Sequence, residues 1–354
     1  MRSEITIHLS KLDANLHAIK SRIKPGVKVM AVIKDDAYGH GAVQIAKHLS
    51  DKVEWFCVAT LREAVELREA EVENSILVFE IPLKEDAQKY RDYNITASVS
   101  DLSTFELLEE GTEYHLNFDT GMRRLGIPSE EAELALQKFK LHKNLNCTGI
   151  YTHFSSSDEP KGATVEQQLA DFREVSLKFP DSLMRHTANT GAIFYYQDLD
   201  LQFDAVRPGV CLYGYMAGKS RSADLSPIIE WKSYLMQVRK IKKGESVGYG
   251  ETWIAPSDGL IGTIPIGYGD GVQRILSGKF EVEINDTFIQ QVGRISMDYI
   301  GVFSKSNNLK KGDEVKLFNG DSLNPQVWAD LSNTIAYEVT TGINKKVKRV
   351  YVLN

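Results

Sequence analysis

The sequence predicts an α/β chain with two domains. An N-terminal (β/α)8 barrel of the TIM type spans residues 1–225, and a mostly β domain spans 226–354. Three observations carry this. From about residue 27 to 213, short apolar runs alternate with amphipathic helical patterns, the mark of a parallel sheet with helical crossovers. Eight such units in so short a stretch suit a closed barrel, with an open doubly wound sheet as the alternative. Past about residue 225 the helical patterns thin out, and short β-rich runs broken by glycines and G-D turns replace them.

Taken in order, the barrel strands are expected at Val29–Ile33, Trp55–Val58, Ile76–Phe79, Ile95–Val99, Tyr114–Phe118 and Cys147–Tyr151, with weaker runs at Ser182–Arg185 and Phe203–Val206. Helical spacing between them is clearest at Leu61–Ala70, Glu130–Phe139 and Val165–Lys178. A small polar segment, Gly218–Ser226, reads as the linker. The second domain has strand-like runs at Trp231–Lys240, Leu260–Ile266, Phe280–Ile284, Phe288–Val292, Glu314–Leu317 and Val347–Leu353, with one short helix at Asn324–Asp330. Residues 4–8 form a further strand that can pair with this domain.

Composition narrows the function. At 354 residues, 42% hydrophobic and 25% charged, the chain can bury a large core, which excludes disorder as its main state. A net charge of −6 excludes a general basic footprint for nucleic acid. The local cluster Lys345, Lys346, Lys348 and Arg349 reads either as a solvated strand face or as an anion site. The N-terminus carries charges where a signal peptide needs an apolar stretch, and no apolar run approaches a membrane span. Cys57, Cys147 and Cys211 are scattered in apolar sequence, so they read as reduced core residues of a cytoplasmic protein and not as a disulfide or metal framework.

Residues of unusual chemistry fall at the expected C-terminal strand ends, where barrel enzymes place their sites. The run A-V-I-K-D-D-A-Y-G-H-G puts Lys34 at the first strand end, followed by Tyr38 and two glycines. A partly desolvated lysine there can form a Schiff base, while its bland reading is a surface cap. D-T-G-M-R-R-L-G offers a guanidinium fork for a carboxylate, or a solvated turn. Y-T-H-F-S-S-S-D-E places His153 at the sixth strand end without paired metal spacing, so no metal site is expected. H-T-A-N-T-G-A and V-R-P-G-V fit the last two strand ends, where such barrels often bind phosphate, with Thr190 and the backbone of Gly209 and Val210 as donors above Arg207, and Asn189 beside them as a further cofactor-binding candidate. In the β domain, V-G-Y-G-E-T-W, I-G-Y-G-D-G and V-G-R-I-S-M-D stand out; each glycine-flanked tyrosine alone reads as a turn residue.

Together, and in this order, these segments resemble the alanine racemase family over essentially the whole chain. The most specific pieces are K-x-x-A-Y-G-H-G, D-T-G-M-x-R-L-G, H-T-A-N, R-P-G, the glycine-flanked Tyr249, I-G-Y-x-D-G and G-R-x-x-M-D. The resemblance implies a pyridoxal 5'-phosphate enzyme interconverting L- and D-alanine, which supplies D-alanine for peptidoglycan. Lys34 resembles the Schiff-base lysine, Tyr38 and Thr190 the phosphate ligands, and Arg207 the arginine facing the pyridine nitrogen, with His153 its supporting partner. Arg124 and the Met297 backbone resemble contacts to the substrate carboxylate, Tyr249 the second catalytic base, and Tyr268 and Arg294 entrance residues. A homodimer is implied, with Tyr249 and Met297 reaching the partner's site.

The chain departs from the family pattern in places. Asp35 and Asp36 follow the lysine. Asn117 stands where many members carry a carbamylated lysine, and relatives with asparagine hold a chloride there. Lys345 stands where some relatives have a tyrosine, and Thr190 where some have serine. A related decarboxylase would need an acid opposite the ring nitrogen and a late cysteine, but the chain has Arg207 and no cysteine after Cys211. A metal-assisted dehydratase or aldolase would want a late histidine, and none follows His186. A single-barrel cofactor-binding protein would lack the β domain. A racemase of another small amino acid such as serine is the remaining alternative.

Overall fold

The computed structural model describes residues 2–353 except 217, 219–221, 223, 307 and 321, so part of the expected linker, at 219–221 and 223, lies outside the described residues. Eight parallel strands, Lys28–Val32, Trp55–Val58, Ser75–Val78, Ala97–Val99, Glu113–Asp119, Asn146–Tyr151, Met184–Asn189 and Ala205–Arg207, follow one another around a barrel. The eighth pairs with the first, Ala205 opposite Lys28. The third and fourth are joined at Leu77 and Thr96, where Thr96 N–H donates to the Ile76 carbonyl at 2.9 Å.

Both faces of this sheet are covered, which is why its strands read as continuous apolar runs and not as alternation. The alternation survives in where the side chains go. Met30, Val32, Trp55, Cys57, Leu77, Tyr151 and Ala205 pack together inside the barrel, while Val29, Ala31, Phe56 and Val58 join the core beneath the helices. The helix Leu61–Glu69 shows how local sequence sets a boundary. Thr60 accepts from the Glu63 N–H and Glu63 accepts from the Thr60 N–H, a reciprocal cap.

Two barrel strands sit later than expected. The seventh runs through H-T-A-N to Asn189. The eighth starts at Ala205 because Phe203 takes a left-handed backbone, φ 47°, which no strand accommodates.

The second domain is built on a nine-stranded sheet in the order Gln237–Ile241, Gly259–Ile264, Ile300–Ser304, Thr287–Val292, Glu281–Ile284, Glu314–Phe318, Ile229–Tyr234, Glu4–His8, Lys348–Val352. The expected run Trp231–Lys240 is two strands. Leu235 and Met236 cross between them, donating to Asp313 and Thr263 carbonyls on different neighbours. Glu4–His8 pairs antiparallel with Ile229–Tyr234 and parallel with Lys348–Val352. The short helix runs Pro325–Ser332 with Asn324 as its cap.

The strand Ile300–Ser304 and the helix Ala336–Thr341 have weak local signals. Gly301 interrupts the first, and the β-branched A-Y-E-V-T-T composition disguises the second. No helix among the described residues is long and apolar enough to cross a membrane.

Candidate active site at the barrel mouth

Lys34 follows the first barrel strand, where the chain enters an unusual turn. Asp35, Asp36, Ala37 and Tyr38 all have left-handed backbones, with φ between 53° and 56°. Each such residue costs roughly 1–2 kcal/mol, less for aspartate, so the turn exists only because its surroundings dictate it. Those surroundings are specific. Asp35 N–H donates to Glu63 at 2.6 Å, and Asp36 accepts from Ala42 N–H at 2.9 Å. From the β domain, Arg349 Nε donates to the Gly39 carbonyl at 3.0 Å and the Tyr351 hydroxyl to the His40 carbonyl at 3.1 Å.

The C-terminal cationic cluster therefore divides. Arg349 spends its remaining donors on the carbonyls of Ile343, Asn344 and Val347, so it is neither a solvated face nor an anion site. Lys345 and Lys346 approach Asp36 and Asp270 at 3.9 and 3.2 Å.

Lys34 Nζ is partly exposed, its nearest acid being Asp35 at 3.9 Å. Tyr38 lies between the rings of Tyr213 and Tyr337. Its hydroxyl reaches toward Gly209, where a Cβ would stand 2.7 Å from it. Thr190 Oγ1 accepts from Gly209 N–H at 3.1 Å, so that amide is already committed to the threonine. Asn189 caps the helix Thr190–Tyr195, and its amide lies 3.4 Å from His153 Nε2. Tyr38, Thr190 and the Gly209–Val210 backbone thus line one cradle.

Arg207 is buried beneath it. One terminal nitrogen donates to the His186 carbonyl at 2.8 Å and contacts His186 Nδ1 at 2.6 Å. The other donates to the Thr152 and Thr187 carbonyls. Its guanidinium also lies over the Tyr151 ring, 5.1 Å from the centroid. Every acceptor is neutral, and among the described residues Nε donates to none.

The expected partner His153 is only a loose neighbour, 3.5 Å from Arg207. His186 is the close one. It was not singled out from sequence, although it opens the H-T-A-N segment and lies on the barrel-facing side of its strand. Burial, then the charges of Arg207, Arg124 and Lys34, push His153 down to about 3, so these cations converge on one ring. Asp119 accepts from Gly121 and Arg123 N–H groups, which folds the D-T-G-M loop and leaves Arg124 exposed, with no hydrogen bond or ion pair among the described residues. Asn117 is buried and donates to Ser100 at 2.9 Å.

The β-domain candidates form a separate group. Tyr268 and Gly269 N–H groups donate to the Ser296 and Met297 carbonyls, and a Cβ on Gly250 would lie 3.1 Å from the Arg294 guanidinium. Tyr249 and Met297 are 72% and 55% exposed, and Tyr268 44%. Among the described residues of one chain, no hydrogen bond, ion pair or ring contact joins this group to Lys34, Tyr38, Arg124 or Arg207.

Residues 7–217 match the N-terminal domain model of alanine racemase, and residues 228–351 the C-terminal domain model. This chain belongs to the alanine racemase family. It is 36% identical to the alanine racemase of Treponema denticola, with 98% of this chain and 97% of that protein aligned. Among solved structures, it resembles the alanine racemase of Bartonella henselae with covalently bound pyridoxal phosphate. That match has TM-score 0.90 and 29% identity, covering 99% of this chain and all of that one (100%). The alanine racemase of Bacillus anthracis with bound L-Ala-P is 30% identical, with TM-score 0.90, over 100% of this chain and 95% of the other. Family membership makes the barrel mouth the place to seek the reaction.

Proposed function

We propose that this protein is a homodimeric, cytoplasmic alanine racemase that interconverts L- and D-alanine with pyridoxal 5'-phosphate and supplies D-alanine for peptidoglycan. The residues present fit that cofactor. Gly209 keeps open the space beside the Tyr38 hydroxyl that a Cβ would fill. Buried Arg207 keeps one N–H uncommitted below the cradle, and Lys34 Nζ reaches the mouth. Tyr38, Thr190 and the Val210 amide would hold the phosphate, with Gly209 leaving room for it and Asn189 and His153 flanking, Arg207 would meet the ring nitrogen, and Lys34 would carry the covalent link. When bound, the cofactor stabilises the electrons left by Cα–H cleavage.

The chain's own groups do the rest. Arg124, exposed and unpaired among the described residues, binds and orients the substrate carboxylate, helped by the Met297 backbone of the partner subunit. Lys34 Nζ moves a proton on one face of Cα and the Tyr249 hydroxyl of the partner subunit on the other. A positioned acid–base group contributes about 10²–10⁴-fold. Tyr268 and Arg294 stand at the entrance. The exposed Tyr249, Tyr268 and Met297, with no hydrogen bond, ion pair or ring contact to the barrel among the described residues, support the shared site. A chloride beside Asn117 fills the position of the carbamate. Free Cys57, Cys147 and Cys211 support the reducing compartment.

One observation carries the reading: Arg207 is buried among neutral acceptors, with no carboxylate hydrogen-bonded or ion-paired to it among the described residues. Arginine keeps its proton at working pH, so the ring nitrogen it meets stays uncharged. That limits electron withdrawal, favours return of the proton to Cα, and disfavours aminotransfer. The test is chiral analysis of several L-amino acids incubated with purified, cofactor-loaded protein. D-alanine is expected to form fastest. Faster D-serine formation would move the substrate to serine, and no inversion of any amino acid would overturn the function.

A further inference from the structure

A guanidinium has only donors to offer, so its contact with His186 Nδ1 makes that nitrogen the acceptor. Burial, then the charge of Arg207, holds His186 neutral, which leaves its single ring proton on Nε2. Nε2 lies 2.9 Å from His115 Nδ1, which must therefore accept in turn. His115 is pushed down to about 3 by burial and by Arg207. Its one proton then sits on Nε2, a buried atom with no hydrogen-bond partner among the described residues. Gly149 makes room for this ring, since a Cβ there would stand 2.7 Å from three of its atoms.

We propose that His115 is a positioning residue whose neutral ring, acting in series with His186, fixes both tautomers and holds Arg207 in place without an acidic counterion. Each ring turns its bare nitrogen toward the guanidinium, so two aligned dipoles stabilise the buried cation. A carboxylate at the far end would satisfy the last N–H, but it would place negative charge beneath Arg207. The unpartnered His115 Nε2–H is the consequence of ending the chain on a donor. The link from Arg207 to the cofactor rests on the function proposed above; the tautomer chain does not.

The experiment is nitrogen-15 NMR on holoenzyme labelled at histidine, with the His115 and His186 signals assigned by His115→Asn and His186→Gln. Both rings are expected neutral with the proton on Nε2. A proton on His115 Nδ1, or a doubly protonated His186, overturns the proposal. Pyruvate and D-alanine formed from L-alanine are then measured in two variants. His115→Asn keeps an acceptor oxygen near the Nδ1 position and should leave the ratio of the two products within about twofold of the unmodified enzyme. His115→Leu removes the acceptor and should raise the ratio about threefold to tenfold, the scale of one lost buried hydrogen bond. Equal ratios in both variants would mean that the ring only fills space. If His115→Leu does not fold, the tautomers of the unmodified enzyme still decide. Absence of racemisation by the unmodified enzyme would sink the function and leave the NMR result standing.

Discussion

Lys34 and Tyr249 divide the proton between them in the proposed reaction, and that division is testable one side chain at a time. Tyr249→Phe keeps the ring and removes the hydroxyl. Racemisation is expected to fall by orders of magnitude in both directions, because each turnover needs both groups. Lys34 remains, so D-alanine in D₂O should still exchange its Cα proton with retained configuration while L-alanine exchanges far more slowly. Comparable exchange from both enantiomers would leave one mobile base serving both faces. Arg207 offers a second test. Arg207→Glu puts a carboxylate where the neutral acceptors now hold a cation. Racemisation should slow, and pyruvate formation should rise relative to it. An unchanged ratio would place Arg207 away from the ring nitrogen. Lys34, Arg207 and Tyr249 were visible in sequence because their types are rare at strand ends and glycine turns. His186 and His115 were not, because a buried histidine inside a strand shows its partners only once the strands close and bring residues 71 apart within 2.9 Å.

The left-handed turn after Lys34 shows what elements add to residues. Nothing in K-D-D-A-Y-G announces five successive positive φ values, since Ala37 and Tyr38 disfavour that region. The cause lies far away in sequence, in Glu63, Thr340, Arg349 and Tyr351. Gly39 is the tightest point, with φ 83° and a notional Cβ 2.2 Å from the Thr340 carbonyl oxygen. Gly39→Ala is therefore expected to destabilise by about 2 kcal/mol or more. Gly26→Ala, also at positive φ but with nothing within 4 Å, isolates the backbone cost alone. Denaturant midpoints of the two variants check this, and equal losses would show that the Thr340 contact yields. The barrel strands were legible because burial on both faces makes them apolar throughout. Ile300–Ser304 and Ala336–Thr341 were not, because packing overrides their weak local preference.

At the scale of the whole molecule, the separation of Lys34 from Tyr249 within one chain predicts complementation. Mixing inactive Lys34→Ala with inactive Tyr249→Phe under subunit exchange should restore some activity, because one hybrid site then holds both bases. No recovery despite demonstrated exchange would give each chain its own complete site. The barrel also carries an acid liability. His40, His115, His153 and His186 are held neutral chiefly by burial, His40 down to about 4 and His115 and His153 down to about 3. Their folded values lie below the ordinary 6.5, so in acid the unfolded chain binds protons that the native chain refuses. Stability is then full above about pH 6.5 and falls toward pH 4 by up to about 1.4 kcal/mol per pH unit for each histidine. Denaturant midpoints between pH 7.5 and 5 measure this, and a flat profile would contradict it. The placement of Glu4–His8 between Ile229–Tyr234 and Lys348–Val352 has a consequence for how the protein is made. Glu4–His8 is made well before either of its partners, both of which lie in the second domain. Arg349 and Tyr351, which clasp the turn beside Lys34, emerge equally late. Synthesis therefore outruns assembly: a nascent barrel waits with Glu4–His8 unpaired and the lysine loop unlatched until Lys348–Val352 has been made.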